Sequence, residues 1–168
     1  FSHNASVRKM LRECLDVANS TIIFLFIGRL KRDKGVFELA LAFASISKEI
    51  DDLALWYVGP DEDNIQDDIK SITLNCNSSI LFAPYTERPE DYMTTADINC
   101  LPSYREGFGT TIIEAAACGL PSIGSKIYGI TDAIVDGETG VLVEKGDVDA
   151  LASAMFSFAK DPSLRKNM

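Results

Sequence analysis

The chain has 168 residues, of which 46% are hydrophobic and 24% charged, and a formal net charge of −9. That is enough apolar material for one domain with a sizeable core, and the acidic balance excludes nucleic acid as a general partner, because phosphate binders carry a basic face. Four cysteines without a C-x-x-C pair and a single histidine, His3, exclude a zinc site and predict reduced, partly buried thiols.

No run approaches the ~18 apolar residues of a membrane span, and no leader pattern is present. A first residue of Phe1 and a polar last run, DPSLRKNM, predict a piece of a longer protein. In chain order, TIIFLFIG (21–28) is a continuous apolar run ending in glycine, as expected of a buried parallel strand. VFELALAFASISKEI follows, with apolar spacing at Val36, Leu39, Ala40, Phe43, Ile46 and Ile50 that predicts a helix. LALWYVG (53–59) is a second buried strand, PDEDN a polar turn, and Ile65, Ile69 and Ile72 mark a weaker helix. SILFA is a third strand. Residues 89–96 form a short helix with Pro89 in its first turn.

DINCLP (97–102) is a fourth strand, GTTIIEAAACG a helix closed by Gly119, and PSIGS a fifth strand. VDGETG turns into VLV (141–143), a sixth. Asp147 or Asp149 then caps a last helix carrying Leu151, Ala154, Met155 and Phe158. Six short apolar strands separated mostly by helices predict an α/β, doubly wound parallel sheet with helices on both faces. No repeat, low-complexity tract or internal linker interrupts it.

In such sheets ligands bind beyond the carboxyl ends of the strands, at the point where strand order reverses. The loop after strand one, GRLKRDKG, holds four cations in the six residues 29–34 of an otherwise acidic chain. Gly28 permits a sharp turn, Arg29 offers a planar fork of donors and Lys34 a mobile point charge, a set suited to a diphosphate. The alternative is a solvated basic loop. After strand four comes YREGFGTTIIEAAACG, where Gly107 and Gly109 open the backbone to a ligand and a helix begins with unpaired N–H groups and its positive dipole end. That is an anion site, so Glu106 at its threshold needs another task, and accepting hydrogen bonds from sugar hydroxyls fits. Glu114 lies ~7 Å further along the helix, within reach of a second polyol such as a ribose, or it is a solvated helix glutamate. Two carboxylates holding two sugars across a diphosphate describe a nucleotide-sugar site. DED (61–63) and DVD (147–149) imitate metal-binding triplets and are read instead as a polar turn and a helix cap.

GRLKRDKG, LPSYREGFGTTIIEAAACGLP and GITDAIVDGETGVLV resemble the C-terminal domain of family 4 retaining glycosyltransferases (glycosyl transferases group 1), which pair two Rossmann-like domains in a GT-B architecture. The resemblance runs from about Thr21 onward, with the motifs in the family's order. It implies that residues 1–168 are the nucleotide-sugar-binding domain and that an N-terminal acceptor domain is absent. It further implies that Arg29 and Lys34, beside Gly28, hold the donor diphosphate. Glu106 would be the catalytic residue, binding the donor sugar's hydroxyls and supporting the departing charge. Gly107, Phe108 and Gly109, with the amides through Thr110 and Thr111, would bind phosphate and sugar oxygens, and Glu114 the nucleotide ribose.

The implied activity is hexosyl transfer from a UDP-sugar to a glycan or lipid-linked acceptor, with retention, in surface polysaccharide or glycoconjugate synthesis. It uses no cofactor and no metal, positive charge from Arg29, Lys34 and the helix terminus serving instead, and this domain alone is expected to be inactive. The expected location is the cytoplasm, with attachment to the inner membrane face through the missing half left open. Two departures from the family pattern stand out: Pro84 precedes Tyr85 after strand three, and VGPDED lacks a Gly-rich turn after strand two. Competing readings are a nucleotide-sugar epimerase, which would turn over without an acceptor, and a non-catalytic nucleotide-binding module. NAD binding would call for G-x-G-x-x-G after strand one, and a receiver for clustered aspartates; neither is present. A glycosidase needs two carboxylates flanking one bond, which a ribose-facing Glu114 does not supply.

Overall fold

A computed structural model describes residues 1–168. Six strands, β1 (Ile22–Ile27), β2 (Leu53–Val58), β3 (Ser79–Ala83), β4 (Ile98–Leu101), β5 (Ser122–Ser125) and β6 (Gly140–Val143), form one sheet in the order β3-β2-β1-β4-β5-β6. Every neighbouring pair is parallel. The order reverses between β1 and β4, so the helices that follow these two strands pack on opposite faces of the sheet, and the carboxyl ends around this point are where such sheets bind ligands.

Both faces of the sheet are covered, which is why the strands read as unbroken apolar runs. Phe24 and Phe26 of β1 face one way, into a cluster with α2 (Val36–Ile46), α3 (Gln66–Thr73) and α6 (Val148–Lys160). Ile23 and Leu25 face the other way, joining Trp56, Met93 of α4 (Pro89–Thr95) and Ala115 of α5 (Thr110–Ala117). The first cluster has 26 buried residues and the second 11, so α2 and α6 cover the larger part of the core.

The predicted strands all form. The helix expected to run to Ile50 ends at Ile46, because Ser47 turns its hydroxyl back onto the Ala44 carbonyl at 3.1 Å and competes with the next helical turn. Asp147, not Asp149, caps α6 by accepting from Ala150 N at 2.9 Å. Asp61 accepts from the amides of Ile65 and Gln66, and Asp63 from that of Arg32, so DED serves a turn. Two helices were not read from the sequence: α1 (Ala5–Cys14), which packs on α4, and α7 (Pro162–Asn167), which is capped by Asp161 and follows α6. No helix is long and apolar enough to cross a membrane. All four cysteines are free thiols, with Cys100 and Cys118 buried, and burial pushes both of these thiols up.

Candidate active site

The loop after β1 and the loop after β4 are locked together at the switch point. Residues 32–34 form a short 3-10 turn, and Gly35 follows in the left-handed region with φ 68°. A Cβ on Gly35 would lie 2.0 Å from the Pro102 carbonyl oxygen, so only glycine lets the β1 loop approach the end of β4 this closely. Tyr104 N donates to Asp33 O at 2.9 Å, and Tyr104 Oη donates to Glu38 Oε1 of α2 at 2.7 Å.

That frame brings Lys34 and Glu106 into contact. Lys34 Nζ lies 2.8 Å from Glu106 Oε1 and donates to Arg105 O at 3.2 Å. Ser103 Oγ donates to the same Glu106 Oε1 at 2.8 Å. The side chains of Lys34 and Glu106 are only 14% and 17% exposed, so water competes weakly for this pair. Just beyond, Gly107 and Phe108 are exposed, and Gly109 (φ 62°) precedes the first residue of α5, Thr110. No side chain caps this helix start, which leaves the amides at Thr110 and Thr111 without a side-chain partner.

Arg29 is placed differently. Its guanidinium is 3.4 Å from Glu62, which also pairs with Lys31 at 2.9 Å, and the Arg29 side chain is 55% exposed. An exposed pair of this kind contributes ~0.2–1 kcal/mol, little enough for an incoming anion to displace it. Gly28 and Arg29 line a cavity of about 590 Å³ at the carboxyl ends of β1, β2 and β3. Gly59, Tyr85, Thr86, Glu90 and Glu114 line it too. Burial raises the Glu114 carboxyl, and Glu90 adds to the shift.

Glu106 does not share this cavity. It borders a second concavity of about 430 Å³ with Tyr104, Arg105, Lys126, Tyr128 and Lys145. The structure therefore joins Arg29 to Glu114 and Lys34 to Glu106, on either side of the reversal point. Sequence reasoning missed Ser103, Glu62 and Glu90. Ser103 stands three residues before Glu106, a spacing that ordinarily signals a helix start; Glu62 is the middle residue of DED, which reads as a polar turn, and Glu90 gave no signal beyond following strand three.

The chain aligns with the family described as glycosyl transferases group 1 over residues 8–168. It is 32% identical over 151 residues to the capsular polysaccharide biosynthesis glycosyltransferase CapM of Staphylococcus aureus, a match that covers 89% of this chain and 40% of CapM. Among solved structures it is similar to sucrose-phosphate synthase from Thermosynechococcus elongatus, with TM-score 0.83 and 30% identity, over 99% of this chain and 42% of that one. Anabaena Alr3699/HepE, in complex with UDP and glucose, shares the fold with TM-score 0.82 and 23% identity, over 99% of this chain and 47% of its own. The chain thus spans somewhat under half the length of these relatives. With that alignment along nearly its whole length, the chain belongs to the group 1 glycosyl transferases.

Proposed function

We propose that the chain is the donor-binding half of a retaining glycosyltransferase. It takes a UDP-sugar, without a metal, and passes the sugar to a glycan or lipid-linked acceptor held by an N-terminal domain of the same polypeptide. The observation that supports this most is the Lys34–Glu106 contact at 2.8 Å, made across 72 residues of sequence at the reversal point of the sheet. A cation for a diphosphate and a carboxylate for sugar hydroxyls stand side by side there, next to a cavity walled by Arg29 and Glu114.

In this reading Arg29, Lys34 and the amides at Thr110 and Thr111 take the diphosphate charge, which grows as the sugar departs. Glu106 orients the sugar, Glu114 accepts from the ribose, and the base lies toward Gly59 and Tyr85. The UDP and glucose held by HepE favour a UDP-sugar, and CapM's role favours capsule-like polysaccharide. Four free thiols suit a reducing compartment such as the cytoplasm, at the inner membrane face if the acceptor is lipid-linked.

Calorimetry with UDP and uridine tests the assignment. Lys34→Ala and Arg29→Ala are expected to weaken UDP by about 10- to 150-fold, with Arg29 toward the lower end, and to leave uridine nearly unchanged. Glu114→Gln should weaken both ligands. Glu106→Gln should spare UDP affinity and lower turnover of the complete transferase. Equal losses of UDP and uridine in the two cation variants would sink the diphosphate assignment.

A further inference from the structure

The fold treats the two oxygens of Glu106 unequally. Oε1 accepts from both Ser103 Oγ and Lys34 Nζ, each at 2.8 Å, whereas Oε2 accepts from neither. The two donors differ in kind. Ser103 is fully buried, two residues past the end of β4, and follows Pro102, whose carbonyl abuts Gly35. Its backbone is fixed from both sides, and its hydroxyl has a single side-chain torsion to settle. Lys34 reaches Glu106 from a three-residue turn on a flexible stem, as a point charge with equal appetite for any other anion.

We propose that Ser103 is the positioning residue of Glu106. When the diphosphate of a nucleotide-sugar draws on the charge of Lys34, the Ser103 hydroxyl keeps Oε1 in place and leaves Oε2 directed to the donor sugar. Without that hydroxyl, the carboxylate has one partner, and the substrate competes for it. Glu106 then follows Lys34 or swings free, and a displacement of about an ångström is costly in turnover. The inference rests on the reading of Glu106 as the sugar-facing carboxylate.

Steady-state kinetics on the complete transferase with UDP-sugar test it, using Ser103→Ala, Glu106→Gln, Glu106→Ala and the Ser103→Ala/Glu106→Ala double variant. Ser103→Ala is expected to lower kcat by about 10- to 100-fold while donor KM stays within about three-fold, because the lost contact serves the reacting geometry and not ground-state binding. On the Glu106→Ala background, where Ser103 has no side-chain oxygen left to hold, Ser103→Ala should add less than about two-fold, since its effect is transmitted through that carboxylate. A Ser103→Ala penalty that persists in full on the Glu106→Ala background, or that falls mainly on KM, would overturn the positioning role. An inactive Glu106→Gln beside a fully active Ser103→Ala would overturn it while sparing the reading of Glu106. Full activity of Glu106→Gln would overturn both.

Discussion

Glu114 carries a stability cost for its place in the cavity wall. Burial, reinforced by Glu90, holds its carboxyl above the ordinary range. A raised carboxyl binds its proton more tightly in the folded chain than in the unfolded one. Its contribution is therefore favourable below the unfolded pKa and lost as pH rises through the folded pKa, so at neutral pH the ionised group destabilises the fold. Glu114→Gln is expected to raise the thermal midpoint at pH 7 and to change it little near pH 3, below the unfolded carboxyl's range of about 4.3, while UDP binding weakens. A midpoint that falls at pH 7, or shifts equally at both pH values, would contradict this account. Local chemistry of this kind is legible in sequence: Gly28, Arg29, Lys34 and Glu106 stand out because strand ends concentrate them. Ser103 and Gly35 do not, since their significance comes from Glu106 folding back on its own loop and from a carbonyl 67 residues away at Pro102.

At the scale of elements, the sequence displays what is apolar and hides what is docked by charge. All six strands and the helices between them announce themselves by period and run length. Helix α1 carries the same spacing, at Val7, Met10, Leu11 and Leu15, but how it docks is hidden, because Arg8 and Arg12 look like a solvated face. The structure instead buries Arg12 to 1% exposure and gives it Asp97 at 2.8 Å, with the carbonyls of Ala18, Thr21 and Thr95. Asp97 also takes Arg8 at 2.7 Å and the Ile23 amide at 2.8 Å, so one carboxylate ties α1 to the starts of β1 and β4. Burial lowers the Arg12 guanidinium from its usual value while Asp97 opposes the shift. Removing one partner of such a pair strands the other, at about 3–5 kcal/mol. Asp97→Ala is expected to destabilise the chain by that amount in urea unfolding, and to leave UDP affinity of the folded fraction unchanged, because this knot sits at the amino ends of the strands, opposite the candidate site. A loss under ~1 kcal/mol would mean the cluster is held by its backbone carbonyls alone.

For the whole molecule, two apolar clusters on opposite faces of one sheet close the core without help from another domain. The doubly wound parallel sheet was legible because each strand run is followed by a signal for a turn or helix, whereas the strand order β3-β2-β1-β4-β5-β6 was not. The separation of the Arg29–Glu114 cavity from the Glu106 concavity was not legible either, because it depends on the β1 and β4 loops closing on each other through Gly35, Pro102, Lys34 and Glu106. That separation bears on function. The donor would lie across the switch point against one wall only, with the exposed aromatic rings of Tyr85, Phe108 and Tyr128 around it. On the proposed function, in which a second domain holds the acceptor, a single wall would exclude little water, and the proximity and desolvation terms of transfer, worth roughly several kcal/mol, would be missing. This chain is therefore expected to fold alone and bind UDP in EDTA with a Kd of about 10 μM to 1 mM, as one wall of a cleft allows. It should show no sugar transfer in a donor-turnover assay in which the complete transferase is active. Efficient transfer by residues 1–168 alone would place the acceptor site on this domain, and a strict divalent-metal requirement for UDP binding would remove Arg29 and Lys34 as the source of the neutralising charge.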